Sequence, residues 1–211
     1  MQTKRRTPEE TYGPALRKAR SAFPELEPLA TAERAAISYQ KQDTASGHFR
    51  IPFLNASYLV SWPEGLVSQA EGTESVDIAT QLLLLHYLLT ADGTPGTGQW
   101  IAFRNLPGGL GYFAAFQGRA SLRLAHHFGQ DKASFEAAAR TVSGERLSFG
   151  DASFLFRALP RVWLAIVLYL SDEEFSANAN VLFDAAASHY LPTEDLAVLG
   201  GMLTGRLIKA S

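Results

Sequence analysis

Two stretches of the chain alternate apolar and polar residues at the two-residue period of a strand. His48 to Leu54 puts Phe49, Ile51 and Phe53 on one face, and Ser57 to Trp62 puts Tyr58, Val60 and Trp62 on one face of the next run. Only Asn55-Ala56 separates them, so the pair predicts a hairpin. Asp77 to Thr90 has a different signature: Ile78, Leu82, Leu85 and Leu89 form one helical stripe, while Leu83, Leu84 and Leu88 fill the other sides. A helix apolar nearly all round is buried centrally, and Asp92-Gly93 follows with a glycine suited to a left-handed cap. Val162 to Leu170 is apolar on both faces and predicts the middle strand of a sheet, paired across Pro160-Arg161 with Ala152 to Leu159.

The rest of the pattern is helical or loop. Thr7, Pro8 and Glu10 form a helix start with a capping box, and the helix runs to about Ala22 with Gly13-Pro14 weakening its middle. A short helix over Glu25 to Ala36, a loop from Pro63 to Ser75 and a strand from Gln99 to Arg104 follow. A Gly-rich turn at Pro107 to Gly111 leads into helices over Tyr112 to Phe128 and Lys132 to Thr141. The last third is expected to be helical, with helices over Asn180 to Tyr190 and Pro192 to Lys209. On the final helix Ala197, Gly201 and Gly205 make a small-residue stripe that permits close approach. The expectation is one α+β domain over residues 1–211, with a mixed, mainly antiparallel sheet packed with helices and a frayed N-terminal segment.

Composition narrows the class. The 211 residues are enough for a real core without staples, and 46% hydrophobic with 19% charged residues is globular. A net charge of -2 gives no electrostatic footprint for nucleic acid, and Lys4-Arg5-Arg6 is too short to alter that. The absence of cysteine excludes disulfides, thiol nucleophiles and cysteine-ligated iron–sulfur clusters within the chain. No secretory signal opens the sequence and the longest apolar run has nine residues, so the expected place is the cytoplasm, with no membrane partner.

Candidate chemistry centres on the end of the apolar strand. Asp172-Glu173-Glu174 follows it at once, and an extended backbone would put Asp172 and Glu174 on one side as ligands for a divalent cation or as an acid/base pair. The alternative is a solvated acidic turn. His86, on the all-round apolar helix, needs a partner for each ring nitrogen, from metal or tetrapyrrole ligation or from a carbonyl or acid. His189 is explained equally by the favourable C-terminal end of its helix. None of the five histidines has a metal-site spacing. Gly109-Leu110-Gly111-Tyr112-Phe113-Ala114 formally fits a dinucleotide fingerprint, with Asp131 at about the right distance, but no second parallel strand carries that acid. Arg104, Arg119, Arg157 and Arg161 can line a pocket for an acidic ligand or pair with Asp151, Asp172 or Glu174.

Leu85 to Gly93, Trp100 to Arg104, Gly150-Asp151, Leu159-Pro160-Arg161, Asp172 to Phe175, Val181 to Asp184 and Tyr190 to Asp195 together resemble domain-of-unknown-function family three-seven-eight-six. The similarity runs from about residue 78 to 207 and more loosely to the N-terminal hairpin. The resemblance implies a setting in anaerobic bacteria and archaea, with links to corrinoid or one-carbon metabolism; some relatives carry an added cysteine-rich iron–sulfur segment, which in this cysteine-free chain would have to come from a partner. It also selects His86, Asp92, Arg104, Asp151, Arg161, Asp172, Glu173, Glu174, Asp184 and His189 as the polar positions matching the family pattern.

The leading expectation is a cytoplasmic binding or accessory protein of anaerobic metabolism that takes a small molecule or cofactor, in its most specific form a corrinoid or other tetrapyrrole. His86 or His189 would be the lower ligand, Trp100, Phe103, Tyr112 and Phe116 the apolar walls, and Arg104 and Arg161 the polar contacts. The alternatives are a metal-dependent enzyme using Asp172 and Glu174, and a non-catalytic module that recruits a protein partner.

Overall fold

The α+β expectation holds, and the computed structural model, which describes residues 6–211, resolves it into two compact units. The first comprises the chain to Thr94 together with His189–Leu191; the second comprises Pro95–Ser188 and Pro192–Ser211. Where the pattern predicts one mixed sheet, each unit has its own sheet, and both are antiparallel throughout. Lys4, Arg5 and most of the segment expected to fray lie outside the described residues.

In the first unit α1 (Pro8–Ala22) opens with the expected capping box on Thr7 and Glu10. A turn of 3-10 helix and α2 (Pro28–Ala35) follow, the latter ending at Ala36 in the left-handed region. The sheet has the order β1 (Ser38–Lys41), β2 (Gly47–Phe53), β3 (Ala56–Trp62), β4 (Val67–Gln69). The predicted hairpin is β2–β3, closed by Leu54 and Asn55, both at positive φ (45° and 67°), the twist-matched geometry of a two-residue loop. Phe49, Ile51 and Phe53 are buried, as their alternation requires. The edge strands escape the pattern, because four residues and three residues are too few to show a period; β4 lies inside the segment read as a loop. Helix α3 (Ile78–Thr90) is capped by Asp77 and packs between α1 and α2, burying Leu82 to Leu85, Tyr87 and Leu88.

The second unit is built on a sheet of order β5 (Trp100–Ala102), β9 (Asn178–Asp184), β8 (Val162–Tyr169), β7 (Ala152–Leu159), β6 (Glu145–Leu147). The apolar run is its middle strand, as predicted. Asn180 to Tyr190 is not a helix: Asn178–Asp184 pairs with β8, and a 3-10 turn covers Ala185–His189. Alternating burial at Ala179, Val181 and Phe183 carries the strand signal, which the alanines after Asp184 mask. The predicted Tyr112–Phe128 helix starts earlier and breaks in two, α4 (Gly109–Arg119) and α5 (Ser121–Phe128), at Ala120 with φ -125° and ψ -77°. Helices α5 and α6 (Lys132–Thr141) lie against the sheet, and α7 (Thr193–Lys209) packs against α4, α5 and α6. The close approach on α7 is at Gly200, where a Cβ would meet the Phe116 ring at 2.7 Å, rather than on the Ala197–Gly201–Gly205 stripe. Among the described residues no helix is long and apolar enough to cross a membrane.

Candidate functional site

The expected acidic site is an exposed turn. Asp172, Glu173 and Glu174 are all exposed. Asp172 Oδ1 accepts the backbone N–H groups of Glu174 (2.9 Å) and Phe175 (2.7 Å), so the segment folds back on itself and Asp172 and Glu174 no longer alternate along a strand. Arg161 sits in the turn before β8 and Asp172 follows its far end; an eight-residue strand keeps them about 26 Å apart at ~3.3 Å per residue. An open concavity of about 670 Å³ is lined by the flanking Ser171, Ser176 and Ala177 with His126 and His127, but not by Asp172 or Glu174. Among the described residues no group of three or more His, Asp or Glu is placed to hold a metal ion.

The other candidates in the second unit have structural employment. Phe103 and Phe116 are not pocket walls: they are 1% and 2% exposed and stack on each other at 4.2 Å in the core. Arg104 is exposed and lies 5.6 Å from the Phe113 ring centroid, and Tyr112 is 49% exposed. Trp100, half-buried on edge strand β5, pairs in register with Asp184. Arg157 pairs with no carboxylate among the described residues; it donates to the Pro160 carbonyl and lies over Trp163. Asp151 accepts the Leu170 N–H (2.8 Å), and Asp131 caps α6 on Ser134, so the fingerprint's acid is a helix cap. Asp184 is 3% exposed. Burial pushes its carboxyl up, but hydrogen bonds from Ala186, Thr97 and Gly98 outweigh that and leave it below the ordinary carboxylate value.

In the first unit the structure makes a pair that spacing could not reveal. His189 Nδ1 lies 2.6 Å from Asp92 Oδ2 and 3.2 Å from Thr94 Oγ1, across 97 positions of sequence. Asp92 is fixed by its own turn: Gly93 takes φ 89°, and Asp92 Oδ1 accepts the Thr94 N–H at 2.8 Å. His189 is fixed by its neighbour: Tyr190 is fully buried, its hydroxyl donates to the Thr94 carbonyl, and its ring lies 5.8 Å from that of Tyr87. Both side chains of the pair are 48% exposed.

The electrostatics assign the protons. The Thr94 N–H, the His189 ring and the Thr94 hydroxyl together hold the Asp92 carboxyl at about 2, so it is ionised and only accepts. Nδ1 therefore carries the hydrogen, and in the neutral ring the lone pair is on Nε2, which makes no hydrogen bond among the described residues. An imidazole oriented through Nδ1 by a carboxylate can ligate a metal or take a proton at Nε2. His86 is half-buried on α3, where its carbonyl accepts the Thr90 hydroxyl at 2.7 Å. The resemblance places Asp92 and His189 in one candidate set; the hydrophobic pattern alone marks Asp92 only as a helix stop.

No curated protein and no solved structure matches the chain. A family model described as Domain of unknown function (DUF3786) matches residues 27–206, and the chain belongs to that family.

Proposed function

We propose that this member of the DUF3786 family is a binding or accessory protein that takes a metal-containing cofactor on His189, with a corrinoid or related tetrapyrrole as the most specific version and anaerobic metabolism as its setting. The carrying observation is the 2.6 Å contact between Asp92 Oδ2 and His189 Nδ1 on a half-exposed ring. Metal-bound histidines nearly always give their second nitrogen's hydrogen to a carboxylate, carbonyl or water, which fixes the tautomer and raises ligand basicity. The Asp92 turn supplies that partner in advance of any ligand. The metal-enzyme reading of Asp172 and Glu174 gains nothing from a turn whose carboxylate is already used by its own backbone.

Titration of the full chain with hydroxocobalamin, and separately with hemin, tests the reading by visible absorbance and melting temperature. One of the two should shift its absorption bands and raise the Tm of the native protein. His189→Ala should lose both responses, and Asp92→Asn should weaken binding by about 10–100-fold, the usual cost of losing such a partner. Native protein with neither response, or His189→Ala binding as well as native, would overturn the proposal. Zn²⁺ bound alone with the same His189 dependence would make the centre a bare metal site instead.

A further inference from the structure

Helix α4 turns an apolar face to solvent. Gly111, Ala114, Ala115 and Gly118 recur at i, i+3, i+4 and i+7, which puts them within a 100° arc, and all four are exposed. Leu110 (75% exposed) and Tyr112 flank that arc, and Leu122 at the start of α5 is 60% exposed. The opposite side carries Gly109 and Phe116, which are buried. Besides Tyr112, the only side chain between Gly109 and Gly118 with a polar group is Gln117, which is half-buried. A solvent-facing helix surface normally carries its charged residues there.

The glycines have no internal reason. A Cβ at Gly109 would meet the Phe103 carbonyl oxygen at 2.0 Å, so that position needs glycine. At Gly111 and Gly118 a Cβ would meet nothing within 4 Å, and neither has positive φ. Glycine weakens a helix more than any residue except proline. What two such positions offer on an outward face is close approach by another backbone.

Charge selects the occupant. No Asp or Glu occurs from Gly93 to Gln130, whereas the whole chain has 21. Arg119 and Arg123 are exposed around the α4–α5 corner, and neither is ion-paired among the described residues; Arg104, also exposed, lies over Phe113 on another side of α4. Acidic groups on the packed helices are Glu194 and Asp195 in the first turn of α7, of which Asp195 is buried, and Asp131 and Glu136 at the start of α6, where Asp131 caps the helix and Glu136 is ion-paired. An anionic membrane shares the charge requirement but not the shape. Interfacial helices insert Trp, Phe and Leu, and a face centred on glycine and alanine has little apolar area to insert. Against a second helix the same small residues let the axes come close.

From this surface we infer that α4 and the start of α5 dock an acidic amphipathic helix of a protein partner. Large apolar side chains of the partner lie over Gly111, Ala114, Ala115 and Gly118, and its flanking carboxylates meet Arg119 and Arg123.

A photo-cross-linking residue at Ala115 of the full chain, with Glu71 in the first unit as control site, tests this in native extract. Mass spectrometry maps the contacted segment, and a synthetic peptide of that segment is then titrated against the purified protein. The expected result is an adduct on a helical segment of net negative charge. Its peptide should bind about tenfold more weakly to Arg119→Glu/Arg123→Glu and at least tenfold more weakly to Gly111→Leu. Leucine at 111 favours the helix, so a loss there reports blocked approach and not unfolding. Adducts to lipid, to a second copy of this chain or to a neutral or basic segment would overturn the inference. So would an Ala115 yield no higher than that at Glu71.

Discussion

Asp92 shows how much one side chain can be asked to do. Its Oδ1 closes the turn after α3 and its Oδ2 holds the His189 ring, and these contacts keep its carboxyl at about 2. A folded value below the unfolded one near 3.8 means the unfolded chain binds the proton more readily in acid. The stabilisation is therefore complete above pH ~4 and is lost as pH falls toward 2. The pair is half exposed, so solvent screening limits the effect to about 1 kcal/mol or less. Urea unfolding of native protein and Asp92→Asn should differ by that amount at pH 6 and converge near pH 2. A difference that persists undiminished at pH 2 would show that the Asp92 charge is not its source. The same substitution has a second readout: an amide oxygen accepts fewer bonds than a carboxylate, so ¹⁵N resonances of His189 should lose their Nδ1–H preference.

At the scale of elements, the end of β9 is the counterpart in the second unit. Asp184 is buried, and its two oxygens accept the N–H groups of Thr97, Gly98 and Ala186 and the Thr97 hydroxyl. Asp184→Ala would leave those donors without their acceptor, a cost of about 3 kcal/mol on the scale of buried unsatisfied groups. Thr97 and Gly98 amides should exchange much faster with solvent, while amides of β8 should keep their protection; protection retained at both loop amides would deny Asp184 its anchoring role. This element is also where sequence reasoning failed. The hairpin was legible because its strands alternate over seven residues each, and α3 and the central β8 because their apolar residues run nearly unbroken over thirteen and eight. Asn178–Asp184 was not, because its pattern runs directly into Ala185-Ala186-Ala187, and good helix formers on one side lend a helical look to a strand. The short strands β1, β4 and β6 fall below the length at which alternation can be distinguished. The Asp92–His189 pair lay beyond any spacing argument, since tertiary folding alone joins residues 97 apart.

For the whole molecule the telling quantity is how charge is distributed, not its sum. Nineteen basic and 21 acidic residues leave -2, a field too weak to steer a partner from afar. Within that near balance the acid-free span from Gly93 to Gln130 leaves Arg119 and Arg123 facing solvent beside the apolar face of α4. Docking at such a surface has two separable parts. Exposed ion pairs contribute roughly 0.2–1 kcal/mol each and are screened by salt, so the two at Arg119 and Arg123 are worth about 0.4–2 kcal/mol, a factor of about 2–30 in affinity. Screening acts within ~10 Å at 0.1 M salt and ~3 Å at 1 M. Apolar contact over the small residues of α4 does not weaken with salt. The affinity of the acidic partner peptide should thus fall by about that factor between low and molar salt, and Arg119→Glu/Arg123→Glu should flatten or reverse the dependence. The loss caused by Gly111→Leu should be equal at both ends of the titration. A salt-independent native affinity would remove the arginines from the interface, and a Gly111→Leu defect confined to low salt would remove the helix face.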